Sequence, residues 1–245
     1  MTTRPLRQLA TAARLLGVDV ERFARTITSG PKFAGDVLRY IRSRSSEDRF
    51  PLEVRDILPM LTDSQEQAGE AGGMYFLQDL WASRLIFSRR PARHVDVGSR
   101  IDGFVAHLLS FMDVEVVDIR RLESPVRGLR FVQDDATSLA SLPDASVVSL
   151  SSLNALEHFG LGRYGDPISP SGWRDGMAAL NRVLAPGGHL YFAVPIGVER
   201  LRFNAHRVFA PSTVLLSLPA MDLVSFSVID DNGKFVESTR PDEYA

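Results

Sequence analysis

Four residues in this chain of 245 combine types and positions that could move a proton: Glu157, His158, Asp166 and His206. Imidazole titrates nearest neutral pH, so His158 is the first choice for a general base, with the adjacent Glu157 to orient it. Asp166 and His206 are second choices. The ordinary roles compete with this: either histidine can hydrogen-bond backbone, and Arg163 and Asp166 can pair within a loop. Yet the run from Phe159 to Asp166 carries three glycines (Gly160, Gly162, Gly165) beside Arg163 and Tyr164. A loop of that composition needs a reason to be ordered, and ligand contact is one. Glu157, His158 and Asp166 could also supply oxygen and nitrogen ligands to a divalent cation. No spacing here is diagnostic of a metal, so no metal ligands are assigned.

The elements that must hold these residues are organised around Arg93–Asp118. His94-Val95-Asp96-Val97 is rich in β-branched residues and ends at Gly98. Ile101 to Met112 has apolar residues at helical spacing. Val114-Glu115-Val116-Val117 reads as a second strand closed by Asp118. Strand, glycine turn, helix, strand and acid make a nucleotide-binding βαβ unit, with Asp118 about twenty positions after the turn, where an acid hydrogen-bonds ribose. Ligands of open α/β sheets sit at the carboxyl ends of the strands.

Downstream, Leu129–Val132 predicts a third strand followed by Asp134-Asp135-Ala136-Thr137. Ser146–Leu150 predicts a fourth, which leads into a long connection from Ser151 to Gly165. Ser171–Leu184 predicts a helix, with Ser169 or Ser171 as its cap and Pro186-Gly187-Gly188 as its stop. His189–Val194 predicts a fifth strand, Pro211–Leu218 a short helix with proline at its start, and Leu223–Ile229 a sixth strand. Asp230-Asp231-Asn232-Gly233 is a hairpin signal that would bring in a short partner strand from Lys234 to Glu237 as an antiparallel edge, either stunted or truncated. The alternation implies a Rossmann-like α/β fold, its mostly parallel sheet covered by helices on both faces.

Residues 1–73 read as an N-terminal helical extension and linker, and 74–245 as the main domain. Within the extension, Gly17 and Gly30-Pro31 should interrupt the helical run. The Gly-rich stretch Ala68–Gly73 is the expected hinge. Tyr75–Phe87 predicts a helix on which Tyr75, Gln78 and Asp79 could face a ligand, although a solvated helix face is the more common use of such residues. The arginines near residues 39–44 admit peripheral contact with a membrane surface, although Glu47-Asp48 weakens that idea.

Composition narrows the functional classes. The apolar fraction of 44% suits a packed core, and a net charge of −2 offers no field for nucleic acid. Cysteine is absent, which excludes disulfides, thiolate metal sites and a cysteine nucleophile. No apolar run approaches the ~18 residues of a membrane span. The N-terminus lacks a signal core of ~7–15 apolar residues, so a cytoplasmic location is expected. The composition sets no oligomeric state.

The glycine turn selects among nucleotides. In Gly98-Ser99-Arg100-Ile101-Asp102-Gly103 the first and third glycines of a dinucleotide fingerprint are present, but Arg100 stands where backbone must approach a pyrophosphate. That argues against a nicotinamide or flavin dinucleotide. The near-absence of lysine (Lys32 and Lys234 only) also counts against a Tyr-x-x-x-Lys enzyme. No phosphate-binding loop ending in Gly-Lys-Ser/Thr occurs.

On these pieces the chain resembles the class I S-adenosylmethionine-dependent methyltransferases. The matching segments are Val95–Gly98, Asp118, Asp134-Asp135-Ala136, Leu156-Glu157-His158 and Leu180–Gly188. The runs Phe76–Trp81, Glu157–Pro167 and Phe203–Phe209 are similar to a poorly characterised bacterial methyltransferase-like family often associated with surface-polysaccharide gene clusters. The resemblance spans about Met74 to Gly233. It implies S-adenosylmethionine as cofactor, with Asp96, Gly98 and Ser99 at the methionine moiety and Asp118 with Ile119 at the ribose. Asp135, or else Asp134, would take the adenine amino group beside Ala136, and Ser151 and Ser152 would lie near the methyl-bearing sulfur. It further implies O-methylation of a saccharide or other small polar acceptor in surface-glycan biosynthesis. The chain departs from the pattern at Arg100 and Asp102, where many relatives carry glycine. The alternative is a methyltransferase-like module without catalysis that binds protein partners.

Overall fold

The computed structural model describes residues 20–45, 49–61, 63 and 71–244. The chain divides into two compact units, residues 1–70 and 71–245. In the first, helix α1 (Val20–Ser43) runs without interruption through Gly30-Pro31. The expected break there does not occur: a proline forfeits one backbone bond, which a helix of this length absorbs. Gly17 and the first half of the expected hinge, residues 68–70, lie outside the described residues. Ile27, Leu38, Tyr40 and Ile41 of α1 are exposed.

The second unit is a five-stranded parallel sheet in the order β3-β2-β1-β4-β5. Its elements are α2 (Met74–Arg89), β1 (His94–Val97), a π-helical turn (Ile101–Val105) continued by α3 (Ala106–Leu109), β2 (Val114–Asp118) and β3 (Leu129–Gln133). Then come β4 (Val147–Leu153), a 3-10 turn (Leu156–His158), α4 (Gly172–Val183) and β5 (Leu184–Ala193). Val95 and Val97 pack on one side with Leu150, Met177, Leu180 and Val183, whereas Val114, Val116 and Leu153 pack on the other with Ile86, Phe104 and Leu108. Both faces of the sheet are thus covered, which is why β1 and β2 are buried along their whole length. The Rossmann-like α/β architecture follows from these layers.

Several boundaries differ from expectation. Strand β4 continues to Leu153, three residues past Leu150, because Ser151, Ser152 and Leu153 pair with Tyr191, Phe192 and Ala193 of β5. Strand β5 begins directly at the end of α4, before the Pro-Gly-Gly segment, with a register shift against β4. A small antiparallel ribbon, β6 (Arg200–Arg202) with β7 (His206–Val208), was not foreseen. After α5 (Pro211–Leu216), the expected sixth strand is reduced to β8 (Val228–Ile229), paired with β9 (Phe235–Val236). The turn between them forms as expected, with the Asp230 carboxylate accepting from Asn232 N and Lys234 N. The hairpin does not join the main sheet; Phe235 instead packs edge-on against Trp81 of α2.

Candidate functional site

Gly98 ends β1 with φ +71°, a conformation that favours glycine, and a Cβ there would stand 3.0 Å from Ala155 Cβ. The turn is anchored by a buried polar network. Ser99 N and Oγ donate to the two oxygens of Asp96, at 3.1 and 2.6 Å. Ser151 Oγ donates to Asp96 at 2.5 Å, and Leu153 N donates to Ser99 Oγ. Because the Ser151 proton goes to Asp96, His94 Nε2–H must donate to Ser151 Oγ at 2.9 Å. Its Nδ1 then accepts from Ser149 Oγ at 2.8 Å. Ser152 Oγ donates to Val97 O. Burial raises the Asp96 carboxyl to about 6 and lowers His94 to about 4. Asp96, Ser99, Ser151 and Ser152 are therefore engaged within the protein, beneath the turn.

Arg100 does not crowd the turn. It adopts an extended backbone, pairs with Asp102 and lies over the Tyr75 ring at 4.9 Å. Gly103 is needed for a different approach: a Cβ there would sit 2.5 Å from Asp79 Oδ2. Gln78 and Asp79 are buried on the inner side of α2, not on a solvated face. Burial raises the Asp79 carboxyl, and Gln78 Oε1 accepts from Asn154 Nδ2 at 3.1 Å. Asn154, the residue after β4, has φ +52°.

The acids at the strand ends differ in how fully they are used. Asp118, at the end of β2, accepts from Arg120 N at 2.8 Å and from both branches of the Arg120 guanidinium at 3.0 and 2.6 Å. Arg120 in turn stacks on Tyr164 at 4.6 Å. Ile119 is half-buried, and its carbonyl accepts from Gln133 Nε2. Asp134 has both oxygens committed, to Asp135 N and Ser141 N. Asp135 Oδ1 accepts from Thr137 N and Oγ1, and Ala136 is buried beside it.

Beyond β4, the 3-10 turn brings Glu157 Oε1 within 3.6 Å of His158 Nε2. His158 Nδ1 donates to Ala205 O at 2.6 Å, so Nε2 carries the lone pair. Glu157 is buried, and its Oε2 has no hydrogen-bond partner. Burial pushes its carboxyl up to about 8 and His158 down to about 4. At neutral pH both are uncharged, so His158 Nε2 keeps its lone pair, and two strongly shifted groups side by side mark a candidate site. Asp166 accepts from Gly162 N and Tyr164 N and so shapes the loop; His206 stands on β7. Gly160 permits the loop to close on α4, since a Cβ there would fall 2.0 Å from Ser169 O. Sequence reasoning missed Arg120 and the Arg200–Val208 ribbon. The Arg-x-Arg pair at 200–202 was the available signal for the latter. A separate recess of about 320 Å³, lined by Arg89, Val148, Ser149, His189 and Tyr191 among others, lies away from the strand-end loops.

Among the described residues, no group of three or more His, Asp or Glu is placed to hold a metal ion, and no helix is long and apolar enough to cross a membrane.

A family model described as "Caenorhabditis protein of unknown function, DUF268" matches residues 143–240. No curated protein matches the chain. Among solved structures, it is similar to a Burkholderia thailandensis 1,6-didemethyltoxoflavin-N1-methyltransferase, with 18% identity and a TM-score of 0.48 over 88% of this chain and 85% of that one. It is also similar to CalS10, an amino pentose methyltransferase from Micromonospora echinaspora, with 16% identity and a TM-score of 0.36 over 60% and 58%. A third is the glycopeptide N-methyltransferase MtfA, with 14% identity and a TM-score of 0.41 over 63% and 78%. At such scores these likenesses carry no argument about activity.

Proposed function

We propose that residues 74–245 form an S-adenosylmethionine-dependent O-methyltransferase domain acting on a saccharide or related polar acceptor in surface-glycan biosynthesis, in the cytoplasm. The observation that carries this reading is the convergence, at the carboxyl ends of β1 to β4, of a glycine turn, two acids and an uncharged Glu157–His158 pair. What supports the fit is the turn itself: Gly98, at φ +71°, lets β1 end in a tight turn packed against Ala155, at the strand end where such a cofactor sits. Gly98 would accommodate the amino-acid end, Asp118 the ribose hydroxyls once Arg120 is displaced, and Asp135 the adenine amino group. Asp96, Ser99, Ser151 and Ser152 hold the turn in shape. Bound there, the cofactor supplies a methyl group on a sulfonium centre, the electrophile for an acceptor oxygen.

His158 takes the hydroxyl proton at Nε2. The hydrogen bond to Ala205 O fixes the tautomer that leaves this nitrogen free. Glu157 is a positioning residue: protonated at neutral pH, it stands beside Nε2 without charging the imidazole. The second reading, a binding module without catalysis, is favoured by the hold of Arg120 on both Asp118 oxygens. Methyl transfer from labelled S-adenosylmethionine to a panel of sugars and nucleotide sugars separates the two. Transfer is expected with the wild type and about a hundredfold less with His158→Gln. S-adenosylhomocysteine binding without transfer to any acceptor would favour the module.

A further inference from the structure

Beside His158, the β6–β7 ribbon and the loop after β4 gather cations that the proton-transfer pair does not use. Arg202 and His206 are direct cross-strand partners, and Arg200 lies two residues from Arg202 on the same face. Arg163 reaches them from the loop, donating to Ala205 O at 3.0 Å, where it stands 3.5 Å from His158 Nδ1. Arg207, on the opposite face, is buried and donates to Phe159 O at 2.6 Å, which ties ribbon to loop.

The nearby carboxylates are otherwise occupied. Asp166 caps two backbone amides, and Glu199 accepts from Thr213 Oγ1 and Ala210 N. Among the described residues, no ion pair engages Arg163, Arg200 or Arg202. Burial first, and then Arg202, Arg163 and Arg200, lower the His206 imidazole, so all three guanidiniums act on one point. Like charges set side by side on a short ribbon repel, and a multivalent anion relieves that repulsion.

We infer that Arg163, Arg200, Arg202 and His206 form a subsite for a diphosphate group, so that the acceptor is a sugar carried on a diphosphate. This rests on the methyl-transfer reading for its place beside His158. Guanidinium forks match phosphoryl oxygens in pairs, and three of them suit a diphosphate better than a single carboxylate. The carrier of the diphosphate can be a nucleoside or a polyprenyl chain.

The test is calorimetric titration of the full chain with inorganic pyrophosphate, uridine diphosphate glucose and farnesyl diphosphate. S-adenosylhomocysteine is titrated into the same samples. Arg200 and Arg202 are exposed, so the double variant R200A/R202A should fold normally. Pyrophosphate is expected to bind the wild type at low salt, at least tenfold more weakly to the double variant, and with unchanged S-adenosylhomocysteine affinity in both. Tighter binding of the uridine or the farnesyl compound names the carrier. No pyrophosphate binding, or equal binding to the double variant, overturns the subsite, whatever the cofactor does. Pyrophosphate binding that responds to the variant, without S-adenosylhomocysteine binding, upholds the anion subsite and removes the methyl-transfer reading instead.

Discussion

The turn after β1 and the loop after β4 face the same end of the sheet, yet they are built in opposite ways. Beneath the turn, every polar group of Asp96, Ser99 and Ser151 finds a partner inside the protein, and His94 extends the network to Ser149. In the loop region, Glu157 keeps a buried carboxyl oxygen without a partner, and among the described residues Arg163, Arg200 and Arg202 gather without an ion pair. Buried polar groups left unmatched cost stability, so each calls for a reason, and a catalytic role is one. The turn is framework; the loop, on the proposed reading, is the part that a substrate would finish.

The largest effect should follow damage to the framework. Asp96→Ala leaves the Ser99 amide, the Ser99 hydroxyl and the Ser151 hydroxyl unpaired together. A loss of about 3 kcal/mol or more in urea unfolding is expected. A loss below about 1 kcal/mol would mean that water or rearrangement replaces the network, and the contrast would blur.

At the loop, Glu157→Gln should act in the other direction and with pH. A carboxyl raised from 4.5 to about 8 contributes stability that is present below 4.5 and lost as pH rises through 8. Wild-type stability should therefore decline across that window, and the variant should lack that part of the decline. Above pH ~8.5 the variant should be the more stable by a few kcal/mol. Asp96, raised from 3.8 to about 6, adds a similar loss over a lower window in both proteins, so the difference isolates Glu157. His158 has the opposite sign: lowered from 6.5 to about 4, it contributes stability above 6.5 that is lost as pH falls through 4. Parallel curves for the two proteins in thermal unfolding would show that Glu157 is already ionised in the folded state.

The smallest effect belongs to Arg120. Its side chain is about half exposed, so its pair with Asp118 is worth on the order of 1 kcal/mol. Arg120→Ala should tighten S-adenosylhomocysteine binding by about fivefold, since the ribose no longer competes with a guanidinium. Weaker binding in the variant would make Arg120 a ligand contact rather than a competitor.

The sequence was legible where pattern and burial agree. Strands β1 to β3, the glycine turn and Asp118 follow from β-branched runs, one glycine and one acid. Burial of Gln78 and Asp79 was not legible, because it arises from the close approach of α2 to Gly103, a tertiary contact that helical periodicity does not encode. The end of β4 was misplaced because consecutive serines have weak strand preference. Ser151 and Ser152 are strand residues only through their pairing with β5 and their bonds to Asp96 and Val97. The β6–β7 ribbon has three residues a side and no Asn-Gly or Asp-Gly turn, so nothing local marked it beyond the Arg-x-Arg alternation at 200–202. Of the proton-transfer candidates, the structure brings His158 and Glu157 together, gives Asp166 a place in loop architecture and sets His206 among arginines.

The central claim is that the end of β1 and β2 holds S-adenosylmethionine, and calorimetric titration with S-adenosylhomocysteine tests it most directly. The wild type should bind in the micromolar range, and Asp118→Ala, confirmed as folded by circular dichroism, should bind at least tenfold more weakly. No binding by the folded wild type, or equal binding by the variant, would contradict the account.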